Sequence, residues 1–365
     1  MLIRKLRLSG FRNLKDQIVE FSEGKTTLVL GDNGQGKSSL IEAIWLFSCA
    51  KSFRGAADSD MIAFGRDEAS LKALIDCEGV EMQIGIRLAR GKRKEITIGS
   101  EKLRRSSDLV GNFITVLFEP DHLSFVSGGP EKRRRGLDIS LCQCSRGYTR
   151  ALSEYNRILA SRTALLKGGH QTGAEETLSV WDEALAERGA HITSARGDLV
   201  RDLSRCGKPI LRELSGGREE LSLQYTSPFY REGASLKEIR DSLLLALKAA
   251  RARDFEAGAT TVGPHRDDLD ISIGGLSARR FASTGQKRSA VVALKLAECE
   301  VLKERLSARP VFLLDDVLSE LDPERCSFIC ERIGQYQVIL TDCSPRPEMR
   351  GAQVFRVKNG LMEEA

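Results

Sequence analysis

One octapeptide constrains this 365-residue chain more than any other feature: Gly31-Asp32-Asn33-Gly34-Gln35-Gly36-Lys37-Ser38 matches G-x-x-x-x-G-K-[ST]. It follows Lys25–Leu30, a run apolar on both faces, which suits a central strand of a covered sheet. It precedes Ser38–Ala50, where Leu40, Ile41, Ile44, Trp45 and Phe47 recur at helical spacing. Strand, loop and helix are the context the motif needs. Glycines let the backbone wrap phosphates closely, and successive N–H groups and the helix N-terminus supply partial positive charge. Lys37 adds a full cation toward the β/γ-phosphates, and the Ser38 hydroxyl can ligate Mg²⁺, with Ser39 beside it. Residues 31–39 are therefore candidate cofactor-binding residues.

Such a loop needs an acidic partner for magnesium, usually at the end of a second apolar strand. Val311–Leu314 followed by Asp315-Asp316 supplies one. Asp315 is the candidate Mg²⁺ ligand, and Asp316 the candidate carboxylate that orients attacking water; with Lys37 they form the candidate catalytic set. Asp316 is one methylene shorter than a glutamate, which points to slow hydrolysis. Ser283-Thr284-Gly285-Gln286 stands before a long helix expected over Gln286–Leu306. Alone it is a helix cap; placed one helix before Asp315, it reads as a second anion site built on a helix dipole.

The remaining pattern is strand–helix alternation at both ends and helix in the middle. Leu2, Leu6 and Leu8 share one face of a first strand, against Ile3, Lys5 and Arg7, and a second strand lies near Gln17–Phe21. Ser70–Asp76, Val80–Leu88 and Glu95–Ile98 read as strands, with Arg90–Lys94 as a charged hairpin tip. Thr149–Leu166 and Glu175–Leu214 read as helices broken at Gly168-Gly169, with Tyr148, Leu152, Tyr155 and Leu159 as a heptad-like stripe. A short strand at Leu221–Tyr225 and a helix over Ser235–Ala252 follow. The final third predicts strands at Pro310–Leu314 and Gln337–Leu340, a helix over Pro323–Gly334 and an edge strand at Gly351–Lys358. These elements make an α/β chain with a mostly parallel sheet and a helical insertion, divided as 1–140, 141–258 and 259–365.

A hydrophobic content of 41% with 29% charged residues excludes disorder. With 14 Phe, 5 Tyr and 2 Trp, any nucleic-acid contact rests on charge more than on base stacking. The net charge is only +5, yet residues 87–105 carry eight basic side chains (Arg87, Arg90, Lys92, Arg93, Lys94, Lys102, Arg104, Arg105) against Glu95 and Glu101. This run, and Lys132-Arg133-Arg134-Arg135, are read two ways, as contacts to a polyanion such as DNA or as a solvated face, the second also as a brace between lobes. Nine scattered cysteines without a Cys-x-x-Cys pair argue against a disulfide framework or zinc knuckle. No signal-peptide pattern opens the chain and no apolar run reaches about 18 residues, so a cytoplasmic location away from membranes is expected.

The order of phosphate loop, long insertion, S-x-G-Q with its helix, and apolar strand with Asp-Asp resembles the ABC-type ATPases. There the S-x-G-Q of one subunit closes on ATP bound to the other, and Ser319-Glu320-Leu321-Asp322 resembles the S-x-L-D loop of that dimer interface. Gly10-Phe11-Arg12-Asn13, Phe118–Leu123, Arg133–Arg135 with Leu137-Asp138, Val262–Leu269, Ser283–Arg288 leading into Ala293–Glu298, and Leu313–Asp322 narrow the match. In these segments the chain is similar to the RecF family of bacterial recombination proteins. The resemblance implies an SMC-like P-loop head with a mixed, largely parallel sheet and a compact, mostly α-helical second lobe. It implies ATP and Mg²⁺, Arg12 and Asn13 near the nucleotide, Ser319 and Asp322 at the interface, and an ATP-dependent homodimer that hydrolyses ATP weakly and with DNA stimulation. It further implies binding to single-stranded, gapped or double-stranded DNA, and work with RecR and RecO to load RecA at gaps.

Three positions depart from the pattern. Glu119 follows the early strand where many relatives carry a magnesium-sensing Gln, so Glu119 is itself a candidate ligand. Leu340-Thr341-Asp342 lacks the His that often follows the acid strand, and Thr284 replaces a Gln or Gly. All three point to slow turnover. His265 and Arg266 match a family motif without an assignable chemistry, and Asp267 and Asp268 read as caps or surface acids. Two alternatives stay open: the energising subunit of a membrane transporter, and a scaffold that holds ATP without significant hydrolysis.

Overall fold

The computed structural model describes residues 1–24, 26–168 and 174–365. Along them run β1 (Leu2–Ser9), β2 (Gln17–Glu20), β3 (Thr27–Leu30), α1 (Lys37–Cys49), β4 (Glu68–Cys77), β5 (Val80–Ala89), β6 (Glu95–Ile98), β7 (Glu101–Lys102) and β8 (Thr115–Phe118). The middle of the chain forms α2 (Pro130–Cys144), α3 (Arg146–Lys167), α4 (Ala174–Leu214), β9 (Leu221–Thr226), α5 (Leu236–Ala249), α6 (Arg251–Ala257), β10 (Asp268–Ile273), β11 (Leu276–Ser277) and α7 (Ala278–Phe281). The last part forms α8 (Thr284–Leu306), β12 (Val311–Asp315), α9 (Pro323–Ile333), β13 (Val338–Asp342), β14 (Gln353–Lys358) and β15 (Leu361–Glu364). Lys25 and Gly169, expected at a strand start and a helix break, lie outside the described residues.

These elements gather into two compact units, one of residues 1–124, 209–219 and 283–365, the other of 125–208 and 220–282. The breaks fall before the expected 140 and after the expected 258. The cause is local packing: α2 lies against β10 and α3, so both flanks of the insertion belong with its helices.

The first unit holds the sheet β15-β14-β3-β13-β12-β8, in which β14, β3, β13, β12 and β8 run parallel and β15 antiparallel. Every residue of β3, β8, β12 and β13 is buried, as parallel strands covered on both faces require. Helix α1, buried on nearly all sides, packs on β8, β12 and β13. The expected edge strand is not at the edge. Asn359-Gly360, both at positive φ, turns β14 into β15, a two-residue hairpin whose twist suits such φ values. No other residue fits at 360, where a Cβ would stand 2.1 Å from the Asn13 carbonyl oxygen.

A second sheet of the same unit, β2-β1-β4-β5-β6-β7, is antiparallel throughout. A bulge between Ile3 and Lys5 shifts the register of β1, so Ile3 joins Leu6 and Leu8 in the core and Leu2 does not. Strict alternation could not see that extra residue.

In the second unit, α3 buries Tyr148, Ala151, Tyr155, Arg162 and Leu166 rather than the heptad positions Leu152 and Leu159. Arg162 is fully buried and donates to Asp182 (3.0 Å), Asp254 (2.7 Å) and Thr260 (2.9 Å), joining α3, α4 and α6. The antiparallel sheet β11-β10-β9 completes the unit. Among the described residues no helix is long and apolar enough to cross a membrane.

Candidate nucleotide site

The parallel sheet brings two distant motifs to one edge. Leu30 of β3 pairs with Asp342 of β13, and Thr341 pairs with Asp315 of β12. The phosphate loop after β3 and the acids at the end of β12 thus open on the carboxyl side of the sheet, where open α/β sheets bind ligands.

The loop is shaped by its glycines. Gly36 caps α1 at φ 120°, where an added Cβ would stand 2.7 Å from Leu14 Cδ2, so the turn admits no side chain. Asp32, Asn33 and Gly34 are exposed, while Lys37 is 5% exposed. The Lys37 ammonium donates to the carbonyls of Gly31 (2.5 Å) and Asp32 (3.3 Å), and Cys343 Sγ lies 3.2 Å away. Asn13 Nδ2 donates to the Gly34 carbonyl and its Oδ1 accepts from Ser39, both at 2.8 Å. Arg12, in the left-handed region at φ 52°, forms two bonds of 2.8 Å to the fully buried Glu42. Its guanidinium therefore offsets a buried charge first. A cavity of about 490 Å³ opens beside this group, lined by Arg12, Asn13, Ser39, Asp60, Arg90 and the fully exposed Phe64.

Asp315 is 5% exposed and accepts from the Thr341 hydroxyl (2.9 Å). The same hydroxyl accepts from the Asp316 N–H (2.9 Å). Asp316 sits at φ 52°, strained for a residue with a side chain, and its Oδ1 is buried with no hydrogen-bond partner. Burial raises its pKa, nearby Lys37 opposes this, and Asp342 and Asp315 add to the rise. A buried acceptor left open beside a phosphate loop is suited to hold a water. Among the described residues no cluster of three or more His, Cys, Asp or Glu could hold a metal by itself. Mg²⁺ binds through one or two protein ligands and completes its shell with phosphate and water. Ser38 and Asp315 would be those ligands.

Glu119 follows β8, whose Phe118 pairs with Leu314. Burial, then Asp315 and Asp121, push its carboxyl up to about 7. At neutral pH much of Glu119 is uncharged, which removes the extra charge that set it apart from a Gln.

Ser283 caps α8, accepting from the Gln286 N–H (3.2 Å), while Gln286 Oε1 accepts from the Ser283 N–H (2.8 Å). Gln286 is thus engaged in a capping box, and Ser283 and Thr284 are left exposed. Ser319 donates to the Asp316 carbonyl (2.7 Å), and Asp322 caps α9.

Sequence reading missed Arg54, whose Nη2 lies 3.7 Å from Asp315 and whose guanidinium covers the Phe53 ring at 5.5 Å. It also missed Phe64 and Arg90 at the cavity and Cys343 at Lys37. No motif spacing marks any of them.

Both basic runs change meaning. Arg87 pairs with Glu68, Lys102 with Glu95, and Lys94 with Asp58 and the Ala50 carbonyl. Lys92, Arg93, Arg104 and Arg105 stay exposed. Arg133, 3% exposed, holds both oxygens of Asp268 at 2.7 and 2.8 Å and the Gly128 carbonyl at 2.6 Å; Arg134 donates to the Asp267 carbonyl. Both arginines brace residues of the second unit, and the reading of a DNA contact is corrected for the buried Arg133. Asp267 is no surface acid: it is 3% exposed and accepts from Tyr225 (2.6 Å). His265 lies between Tyr155 (2.7 Å) and the Thr260 carbonyl (3.0 Å), a structural position.

Comparison with known proteins agrees with this geometry. The family model for the RecF/RecN/SMC N-terminal domain matches residues 2–359. The chain is 36% identical over 370 residues to a DNA replication and repair protein RecF from Agathobacter rectalis, covering 100% of this chain and 99% of that protein. It is 34% identical over 369 residues to one from Clostridium botulinum, covering 100% of both. A solved structure of the recombination mediator protein RecF with ATPrS, in the RecFOR pathway, superposes with a TM-score of 0.92 at 33% identity, covering 100% of this chain and 98% of that one. An SMC head bound to the C-winged helix domain of ScpA matches in fold alone, with a TM-score of 0.56 at 17% identity. Motif order, sheet topology and full-length similarity agree: the chain belongs to the RecF family of DNA replication and repair proteins, within the RecF/RecN/SMC N-terminal domain family.

Proposed function

We propose that the chain is an ATP-switched DNA-binding protein that dimerises on ATP and resets by slow hydrolysis. The observation that carries this reading is the convergence of residues 31–38 and Asp315-Asp316 at the carboxyl ends of β3 and β12, the two parallel strands that flank β13 in one sheet. The triphosphate lies along the loop amides with Lys37 turned from the Gly31 and Asp32 carbonyls to the phosphates, and the base enters the cavity beside Arg12, Asn13 and Ser39. Ser38 and Asp315 would hold Mg²⁺, which when bound would supply charge neutralisation to the phosphates, and Asp316 is placed to orient the attacking water. Its short reach keeps hydrolysis slow. The exposed Ser283 end of α8, with Ser319 and Asp322, meets the nucleotide of a second copy.

DNA contacts come from the exposed part of the hairpin region, Lys92, Arg93, Arg104 and Arg105, and read charge rather than sequence. The relatives named above act in DNA replication and repair, one in the RecFOR pathway, which supports a role with RecR and RecO in loading RecA at single-strand gaps. The full-length family match removes the transporter alternative. The scaffold alternative is separated by a single-turnover assay of ATP hydrolysis with and without DNA. Slow turnover that rises with DNA is expected; none in either condition makes the chain an ATP-holding scaffold.

A further inference from the structure

One arginine ties the exposed end of α8 to the acid strand of the same chain. Arg325, in the first turn of α9, donates from Nη2 to the Gly285 carbonyl (3.0 Å) and from Nε to the Ser289 hydroxyl (2.9 Å). Its Nη1 pairs with Asp322, and its backbone N–H donates to Asp322 Oδ1 (3.1 Å). Asp322 closes the loop that begins at the acids: Ser319 donates to the Asp316 carbonyl, and the Asp316 N–H rests on Thr341, which also holds Asp315. Arg288 of α8 and Glu320 of the same loop, 3.4 Å apart, add a second strap. A continuous set of bonds therefore runs from Asp315 to Gly285.

The planar guanidinium makes this joint stiff. Its donors point in fixed directions, and here they are taken by three acceptors on two segments. Gly285 lies close under it, with an added Cβ 3.4 Å from Nη2. Shifting Asp316 against a bound phosphate group would thus move Ser319–Asp322 and, through Arg325, the turn that exposes Ser283 and Thr284. None of these bonds lies between subunits.

We propose that Arg325 is a positioning residue that couples each chain's own acid pair to the helix end it presents to a second copy's nucleotide. This rests on the dimer reading above. Arg325 acts through Gly285 and Asp322, so its removal should leave ATP binding to the chain's own loop intact while weakening association.

The test uses full-length Arg325→Ala, with Arg325→Lys as a second variant that keeps the charge but cannot bridge three acceptors. Binding of a fluorescent ATP analogue to each is expected within about twofold of the parent. ATP-dependent association is expected to weaken about tenfold, within the usual range of coupling between sites. The decisive arm mixes Arg325→Ala with Lys37→Met. In that pair one sandwich has an intact loop from the first chain and an intact α8 end from the second. Association equal to that of parent mixed with Lys37→Met is expected. Parent-like association of both Arg325 variants, or a mixed pair that fails where the parent mixture succeeds, overturns the proposal. Loss of analogue binding in both variants overturns it too. A parent that never associates with ATP refutes the dimer reading itself, which the first arm shows separately.

Discussion

Thr341 is fully buried, and its single hydroxyl accepts from the Asp316 N–H while donating to the Asp315 carboxylate. Where related ATPases often place a His in this segment, this chain has a hydroxyl that holds both acids. Thr341→Val keeps the shape and removes both bonds. It should leave nucleotide affinity within about threefold and slow single-turnover hydrolysis about 10- to 100-fold, as small misplacements of catalytic groups do. Thr341→Ser should recover most of the rate; a Val variant at the parental rate would deny Thr341 this role. Asp316→Asn should retain ATP and slow hydrolysis about 100-fold or more, and parental hydrolysis would remove Asp316 from its assigned place. His265 gives the pH dependence. Burial holds its pKa below the usual value of 6.5, the Thr260 carbonyl opposes this, and Arg266 and Arg134 add to it while Asp254 opposes. The unfolded chain therefore takes up the proton more readily. The stability this site contributes is complete above about pH 6.5 and falls away as pH drops through the lower folded value. Melting curves from pH 7.5 to 5 should show a steeper acid loss for the parent than for His265→Gln; equal slopes would exclude the assignment. Lys37, Asp315 and Asp316 were legible because contiguous motifs carry them. Arg54, Phe64 and the two-way bond of Thr341 were not, because each depends on a neighbour far away in sequence.

At the scale of elements, burial pattern and turn chemistry decide what sequence periodicity can reveal. Fully apolar runs such as Val311–Leu314 announce central strands, and the structure buries all of β12. The bulge in β1 and the Asn359-Gly360 hairpin changed which residues face inward and which strand lies at the edge. The hairpin was a readable signal, since Asn-Gly favours this turn; the bulge was not. Helix α2 was hidden because its basic residues resemble a charged surface, whereas Arg133 lies buried against Asp268. Arg162 carries the same lesson in the second unit, since its three partners come from residues 20 to 98 positions away. Arg162→Met should remove the buried cation that bonds both acids, leaving Asp254 to its bonds from Thr261 while Asp182 keeps Arg251 (2.8 Å). A decrease of about 3–5 kcal/mol in unfolding free energy is expected, measured by urea titration. A decrease below about 1 kcal/mol would mean that water or relaxation replaces the arginine.

For the whole molecule, charge distribution matters more than its sum. The net charge of +5 offers little attraction, but Lys92, Arg93, Arg104 and Arg105 stand exposed on one hairpin region while Arg87, Lys94 and Lys102 are paired. Lys92→Glu with Arg93→Glu, sparing Lys94 because it anchors Asp58 and Ala50, should weaken DNA binding about tenfold or more at low salt. The slope of log affinity against log salt should also flatten, by about 0.9 for each phosphate no longer neutralised. Unchanged affinity and slope would move the DNA surface elsewhere. In the function proposed above, DNA grip and release both depend on ATP joining two copies through the exposed Ser283 helix end. Light scattering of the purified chain with ATP, with ADP and without nucleotide measures that event. A mass rising from 40.3 kDa to about twice that value with ATP alone, and not for Lys37→Met, is expected. A single 40.3 kDa species under all three conditions, with and without DNA, would contradict it.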